Sequence, residues 1–141
     1  MNNENIKQAA FDYFNNGYNC AEAMVKALNE NFGNEEDGNI TKWATAFGGG
    51  MGRTHEETCG ALNGAILFVG SKYGRVESGS NIDEPMELAA KFREQFIASY
   101  SCTKCKQLLE NFGPQENGIE CKKLVSRLAG EFAGIIKEHN C

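Results

Sequence analysis

The sequence predicts an all-α protein: a compact bundle of five or six helices forming a single domain over residues 1–141. Apolar residues recur at offsets of three, four and seven along most of the chain, which is the spacing of helices. No alternating strand pattern of useful length appears, and no segment repeats at a fixed period. With 141 residues, 41% of them hydrophobic, the chain is long and apolar enough for one ordinary core.

Two helices are predicted before residue 34. The first ends near Gly17, and its apolar positions are Ile6, Ala9, Ala10 and Tyr13. Asn19 is placed to cap the second, and Glu22 stands in the capping-box position three residues later. The second helix then ends at Phe32 and Gly33.

A loop, a short segment and a third long helix follow. Residues 33–40 are predicted to form a polar loop and residues 41–47 a short helical segment. The glycines within residues 48–52 break regular structure. A third long helix should begin near Thr54 or Thr58, and the spread of its apolar residues predicts burial on more than one side.

Three further helices are predicted in the C-terminal half. Residues 70–81, rich in Gly and Ser, are expected to form an exposed, mobile connection. Helical spacing then covers residues 83–100, a shorter stretch at 103–112 that Gly-Pro ends, and an amphipathic stretch at 121–139.

Composition argues against several classes of partner. Fourteen Lys and Arg against nineteen Asp and Glu give a net charge of -5, which opposes binding to a nucleic-acid backbone. No stretch approaches the roughly 20 apolar residues of a membrane span, and the first residues lack the pattern of a secretion signal. We therefore expect a cytoplasmic protein that binds neither nucleic acid nor a membrane.

Six cysteines are the main indication of function. In the cytoplasm thiols stay reduced unless they bind metal or do redox chemistry. Four lie near predicted helix starts, where backbone N–H groups and the helix dipole favour a thiolate: Cys20, Cys59, Cys105 and Cys121. The alternative for each is a small buried hydrophobic residue.

The residues that follow Cys59 present a face without side chains. Gly60 and Gly64 lie one helical turn apart, so a ligand or a second backbone can approach closely. Considered apart from Cys59, the pair is better explained by helix packing through small residues, with Gly130 and Gly134 of the last helix as partners or with a second copy in a homodimer. If the helix begins at Thr54, His55 shares a face with Cys59, although a solvated histidine is the simpler interpretation.

The run Gly48-Gly49-Gly50-Met51-Gly52-Arg53 is the second glycine-rich motif. It lacks the Gly-Lys-Ser/Thr ending of a phosphate loop, and no predicted strand precedes it. Backbone N–H groups of Gly49 and Gly50 could instead approach the cysteines, with Arg53 near a thiolate or another anion. A tight turn between helices is the alternative.

These motifs together resemble the family of redox-active proteins named after the pattern C_GCAxxG_C_C. The resemblance covers nearly the whole chain and rests on Asn19-Cys20-Ala21, Phe47 to Gly52, Cys59 to Ala65, Phe96 to Cys105 with Leu108, and Cys121 with Val125. It implies that Cys20, Cys59, Cys105 and Cys121 are the shared cysteines, with redox or metallocluster chemistry. Two cysteines depart from the pattern: Cys102, which stands before the third shared cysteine, and the terminal Cys141.

Three functions remain open. In the first, an oxidoreductase exchanges disulfides with an unknown redox partner, and Cys20 pairs with Cys59 and Cys105 with Cys121. In the second, the four thiolates hold an iron–sulfur cluster or another metal, for electron transfer or in a noncatalytic sensing module. Their separations of 39, 46 and 16 residues match neither familiar ferredoxin spacing. In the third, the cysteines are inert and the protein is a helical interaction module.

Two familiar metal sites are not supported. A zinc ribbon needs a second CxxC besides Cys102-Thr-Lys-Cys105. Covalently attached haem needs a histidine directly after the pair, and Lys106 stands there.

Overall fold

The structure is a computed structural model that describes residues 3–34 and 38–141. Within these ranges the protein is all-helical, as predicted, and has seven α-helices rather than five or six. They are α1 (Asn3–Asn15), α2 (Cys20–Phe32), α3 (Ile40–Trp43), α4 (Gly60–Tyr73), α5 (Asp83–Tyr100), α6 (Cys105–Phe112) and α7 (Ile119–His139). The additional helix is the one-turn α3, which lies in the short segment predicted at 41–47 and is followed by a separate 3₁₀ turn, Thr45–Phe47. Residues 35–37 of the predicted polar loop lie outside the described residues.

Helices α2 and α4 pack along each other at the centre of the bundle. Helix α1 packs along α7, and α5 covers the far side of α4. Helix α4 is buried on more than one side, as its sequence predicts. Phe68 of α4, Phe92 and Phe96 of α5 and Phe132 of α7 are fully buried. Each contributes about 1.5–3 kcal/mol through burial of its ring.

The start of α2 is fixed by the predicted capping box. Asn19 Oδ1 accepts a hydrogen bond from the Glu22 backbone N–H, and Glu22 Oε1 accepts one from the Asn19 backbone N–H, each at 2.9 Å. Because both partners are satisfied within one turn, Cys20 is held as the first residue of the helix.

Three predicted helix starts need correction. Helix α4 begins at Gly60, with Cys59 as its N-cap, and neither Thr54 nor Thr58 is helical. Helix α6 begins at Cys105 rather than at residue 103, because Thr58 and Lys104 form an isolated antiparallel bridge that keeps the backbone extended. Helix α7 begins at Ile119, two residues earlier than predicted.

The glycines of the last helix pack against α1 and not against α4. A Cβ on Gly130 would lie 2.7 Å from the aliphatic carbons of Lys7, and one on Gly134 would lie 3.6 Å from the Asn3 side chain. The predicted pairing of these glycines with Gly60 and Gly64 is therefore wrong. No helix within the described ranges is both long and apolar enough to cross a membrane.

Candidate functional site: a cavity lined by four cysteines

The four cysteines near helix starts line one cavity of about 490 Å³. Cys20 is the first residue of α2, Cys59 caps α4, Cys105 is the first residue of α6 and Cys121 is the third residue of α7. The cavity therefore lies where the N-terminal ends of four helices meet. Cys102 and Cys141 do not line it.

The sulfur of Cys20 sits among backbone N–H groups. Hydrogen bonds from the backbone of Gly49, Ala21 and Gly60 lower the pKa of Cys20, but burial of the thiol raises it by more. A Cβ added at Gly60 would overlap Cys20 Sγ, so the close approach of α4 to this sulfur requires glycine. Gly49 and Gly60 thus place N–H donors against Cys20 from two different elements.

The other candidate glycines differ in position. A Cβ on Gly50 would lie 2.6 Å from Cys105 Cβ and 2.9 Å from His55 Cα. Gly50 therefore packs closely against two residues that line the cavity. A Cβ on Gly64 would meet the carbonyl oxygen of Ala21. Gly64 does not line the cavity and lies at the contact between α2 and α4. This position favours the packing interpretation for Gly64.

The glycine run forms a left-handed turn that makes one wall of the cavity. Five consecutive residues, 49–53, have φ between +60° and +67°, and His55 has φ +63°. In the non-glycine residues Met51, Arg53 and His55, this conformation costs on the order of 1–2 kcal/mol each. Backbone hydrogen bonds hold the turn, including Arg53 N–H to Gly48 O at 3.1 Å and His55 N–H to Gly49 O at 2.9 Å.

His55 reaches the cavity by a different route from the one that the sequence predicts. It belongs to the left-handed turn and not to α4, so it shares no helix face with Cys59. It nevertheless lines the cavity, as does Arg53.

A short backbone pairing brings Cys59 and Cys105 together. The Cys59 N–H donates to Thr103 O at 2.7 Å, and the Cys105 N–H donates to Glu57 O at 2.9 Å. These bonds flank the bridge between Thr58 and Lys104 and join the starts of α4 and α6. This pairing could not be predicted from the sequence, because one bridge leaves no alternating pattern of apolar and polar residues.

Gln115 is a further site residue that the sequence does not reveal. Its Oε1 accepts hydrogen bonds from the backbone N–H groups of Glu120 at 2.8 Å and Cys121 at 3.1 Å. Its Nε2 donates to Cys121 Sγ at 3.4 Å. Gln115 therefore caps α7 and positions the fourth thiol. Nothing in the local sequence signals this, because the residue lies before the helix in an irregular segment.

Burial outweighs the effect of the helix starts on every cavity thiol. The pKa of Cys59 lies well above its usual value, first because the thiol is buried and next because charge on Cys20 would repel its thiolate. Burial raises the pKa of Cys105 to about 11 and also raises the pKa of Cys121, which Gln115 partly opposes. The expected preference for thiolates is therefore reversed, and all four groups are thiols at neutral pH.

A site for a single metal ion needs several ligand atoms that converge on one point. Within residues 3–34 and 38–141, no group of three or more His, Cys, Asp or Glu side chains could hold a metal ion. All six cysteines are free thiols. The arrangement therefore does not fit a mononuclear site such as structural zinc, whose four ligands contact one ion.

Fold and cavity together define a helical protein with four cysteines gathered at converging helix starts. The chain belongs to the C_GCAxxG_C_C family: the family model, described as "Putative redox-active protein (C_GCAxxG_C_C)", matches residues 18–135. The matched segment contains all four cavity cysteines, and the resemblance seen in the sequence is confirmed. The comparisons with curated proteins and with solved structures found no match.

Proposed function

We propose that the protein is a cytoplasmic thiol oxidoreductase whose cavity cysteines pass electrons to a substrate by forming a disulfide. The observation that carries the proposal is the setting of Cys20. Its sulfur lies against the start of α4, next to Cys59, and accepts backbone hydrogen bonds from Gly49 and Gly60. These N–H groups oppose the rise in pKa that burial causes at Cys20, and they stabilise its thiolate when that form is reached. The thiolate is the form that attacks a disulfide.

Cys20 is assigned as the attacking thiol and Cys59 as its partner. Charge on Cys20 would raise the pKa of Cys59, Cys105 and Cys121 alike, so Cys20 is within electrostatic reach of all three. On Cys59 this effect is larger than that of either other thiol. We assign Cys105 and Cys121 to a second pair, because charge on Cys121 also raises the pKa of Cys105.

An iron–sulfur cluster is the second candidate, and the size of the cavity favours it. A polynuclear cluster places one thiolate on each of several irons around a core, so its ligands need not converge on one ion. Four thiols around about 490 Å³ meet that requirement. Cys20, Cys59, Cys105 and Cys121 would hold the cluster, which would supply one-electron transfer. Without it, Cys59 is buried and Cys20, Cys105 and Cys121 are half-buried.

The test combines metal analysis with counting of thiols. Protein purified without oxygen is assayed for iron, sulfide and zinc, then equilibrated with a series of dithiol/disulfide buffers and tagged with a maleimide for mass spectrometry. We expect no stoichiometric metal and a reversible loss of tags in pairs, with Cys20 and Cys59 losing theirs together. Stoichiometric iron and sulfide would replace this proposal with the cluster.

Matched variants make the assignment specific. Cys59→Ala should abolish the two-electron step and leave Cys20 tagged at every potential. Cys141→Ala should not affect the step, because Cys141 is exposed and lies outside the cavity. If the cavity thiols stay tagged at every potential in metal-free protein, the cysteines are inert and the interaction module becomes the better description.

A further inference from the structure

The lining of the cavity is partly apolar and partly cationic. The apolar part is formed by residues of α1, α6 and α7: Phe14, Leu108, Leu109, Phe112, Leu124 and Val125. The left-handed turn contributes Arg53 and His55. The four cysteines line the same cavity.

The charge of the lining is opposite to that of the whole protein. The chain carries a net charge of -5, yet no Asp or Glu among the described residues lines the cavity. Arg53 is the lining residue with a full positive charge, and no hydrogen bond or ion pair engages its guanidinium within the described ranges. The positive ends of α2, α4, α6 and α7 add to this local potential. The cavity therefore favours an anion.

The cavity also has the size of a small-molecule pocket. A volume of about 490 Å³ lies within the range of about 300–1,000 Å³ that is typical of such pockets. Cys20, the attacking thiol, is only partly exposed, which favours a small disulfide over one displayed on a folded protein surface.

We propose that the substrate is a small disulfide with an apolar body and a carboxylate, which Arg53 binds while the body rests on α6 and α7. This inference rests on the proposed thiol chemistry and adds the class of substrate. Arg53 acts as a specificity residue, and the strained left-handed backbone holds it at the cavity wall.

The reaction balances without a further reagent. The thiolate of Cys20 attacks one sulfur of the substrate, forming a protein–substrate disulfide and breaking the substrate S–S bond. The leaving thiolate takes up the proton that Cys20 gave up. The Cys59 thiolate then attacks Cys20 Sγ, forming the protein disulfide and releasing the second substrate thiol, which receives the proton from Cys59. One substrate disulfide is reduced to two thiols, and two protein thiols are oxidised to one disulfide.

Two aromatic disulfide probes that differ in charge test the inference. Dithiobis(nitrobenzoate) is dianionic, and dithiodipyridine is its uncharged counterpart; the thiols that both release absorb light. Rates are measured on the full chain in a Cys102→Ala/Cys141→Ala background, so that only cavity thiols react. Arg53→Gln should slow the anionic probe by about fivefold, a size typical of one close charge pair. The uncharged probe should react at an unchanged rate.

Two control variants separate a local effect from a change in total charge. Arg93→Gln removes the same charge from an exposed position on α5 and should change neither rate. Arg53→Lys should restore most of the rate with the anionic probe. Raising the salt concentration should remove the advantage that Arg53 gives, because the interaction is screened.

The outcomes distinguish this inference from the proposed function. If cavity thiols react with both probes but Arg53→Gln changes both rates equally or neither, the substrate class is wrong and the thiol chemistry stands. If neither probe oxidises Cys20 and Cys59 in metal-free protein, the proposed function itself fails, and this inference fails with it.

Discussion

Cys105 shows how burial controls the chemistry of a thiol at a helix start. Desolvation raises its pKa to about 11, and neighbouring charge on Cys20 and Cys121 acts in the same direction. In reduced, metal-free protein we expect the alkylation rate of Cys105 to rise with pH to a midpoint near pH 11. The measurement is iodoacetamide labelling followed by mass spectrometry of the Cys105 peptide.

The same peptide supplies its own control. In denaturant the Cys105 thiol is no longer buried, and Cys20 and Cys121 are no longer close to it. The labelling midpoint of Cys105 should therefore fall back towards about 8.5, the usual pKa of cysteine. A native midpoint equal to the denatured one would show that burial at the start of α6 does not govern this thiol.

Gln115 offers a second test at a single residue. Gln115→Leu keeps the size of the side chain but removes the cap of α7 and the donor to Cys121 Sγ. The pKa of Cys121 should rise further, because the hydrogen bond from Gln115 lowers it. Loss of the cap should also cost about 1 kcal/mol of stability. The change in the pKa of Cys121 is measured by labelling this residue as a function of pH. The change in stability is measured by urea unfolding.

Gln107→Leu is the matched variant for this experiment. Gln107 is exposed on α6 and contacts Asn111, so its replacement should leave the titration of Cys121 unchanged. If Gln115→Leu lowers stability without moving the Cys121 profile, Gln115 is only a helix cap.

At the scale of single residues, the cysteines of the site could be predicted from the sequence, whereas Gln115 and the raised pKa values could not. The four cysteines stand out in the sequence because thiols are scarce and the family pattern contains them. Gln115 does not stand out, since its role depends on a segment that folds back over the start of α7. The raised pKa values also could not be predicted, because they depend on how deeply the fold buries each sulfur.

At the scale of elements, the contact between α2 and α4 places the first two thiols. A Cβ on Gly60 would overlap Cys20 Sγ and lie 3.0 Å from the carbonyl oxygen of Phe47. Gly60→Ala should therefore push the start of α4 away and destabilise the protein by about 1–3 kcal/mol, the usual cost of overpacking. It should also change the labelling rate of Cys20. Urea unfolding and thiol labelling provide the two readouts.

Gly70→Ala is the matched control on the same helix. A Cβ at Gly70 has nothing within 4 Å, so alanine should stabilise the helix by about 0.5–1 kcal/mol and leave Cys20 unchanged. Equal effects of the two substitutions would contradict the close approach of α4 to Cys20.

The elements also show why some boundaries could be predicted and others could not. The start of α2 depends on Asn19 and Glu22, which lie within one turn and are visible in the sequence. The start of α4 depends on the Cys59 N–H bonding to Thr103, some forty residues away. The left-handed turn also could not be predicted from the sequence. Glycines permit positive φ, but they do not predict it for Met51, Arg53 and His55.

At the scale of the whole molecule, the core and the cavity are built from different parts of the same helices. The phenylalanines that fill the core lie in the middle of α4, α5 and α7, whereas the cysteines lie at or beside helix starts. Helical periodicity predicts the first arrangement, because it repeats along each helix. The meeting of four helix starts depends on the connections between helices, so it appears only in the structure.

The pH dependence of stability is a property of the whole cavity. The folded-state pKa values of Cys20, Cys59, Cys105 and Cys121 are all raised, chiefly by burial. From about pH 8.5, the usual pKa of cysteine, the unfolded chain loses these protons more readily than the folded one. The stabilisation that this gives is complete well below that pH and is lost as the pH rises through the folded pKa values, which for Cys105 means about 11.

The free energy of unfolding of reduced, metal-free protein should therefore fall between pH 9 and pH 10. Urea unfolding should be kept to this range, because tyrosines with raised pKa values, Tyr13 near 12 among them, begin to contribute at higher pH. Cys105→Ala removes one of the titrating thiols, so its stability should fall less steeply with pH than that of the wild type. A stability that is flat or rising over this range would mean that the cavity does not hold its cysteines as protonated thiols.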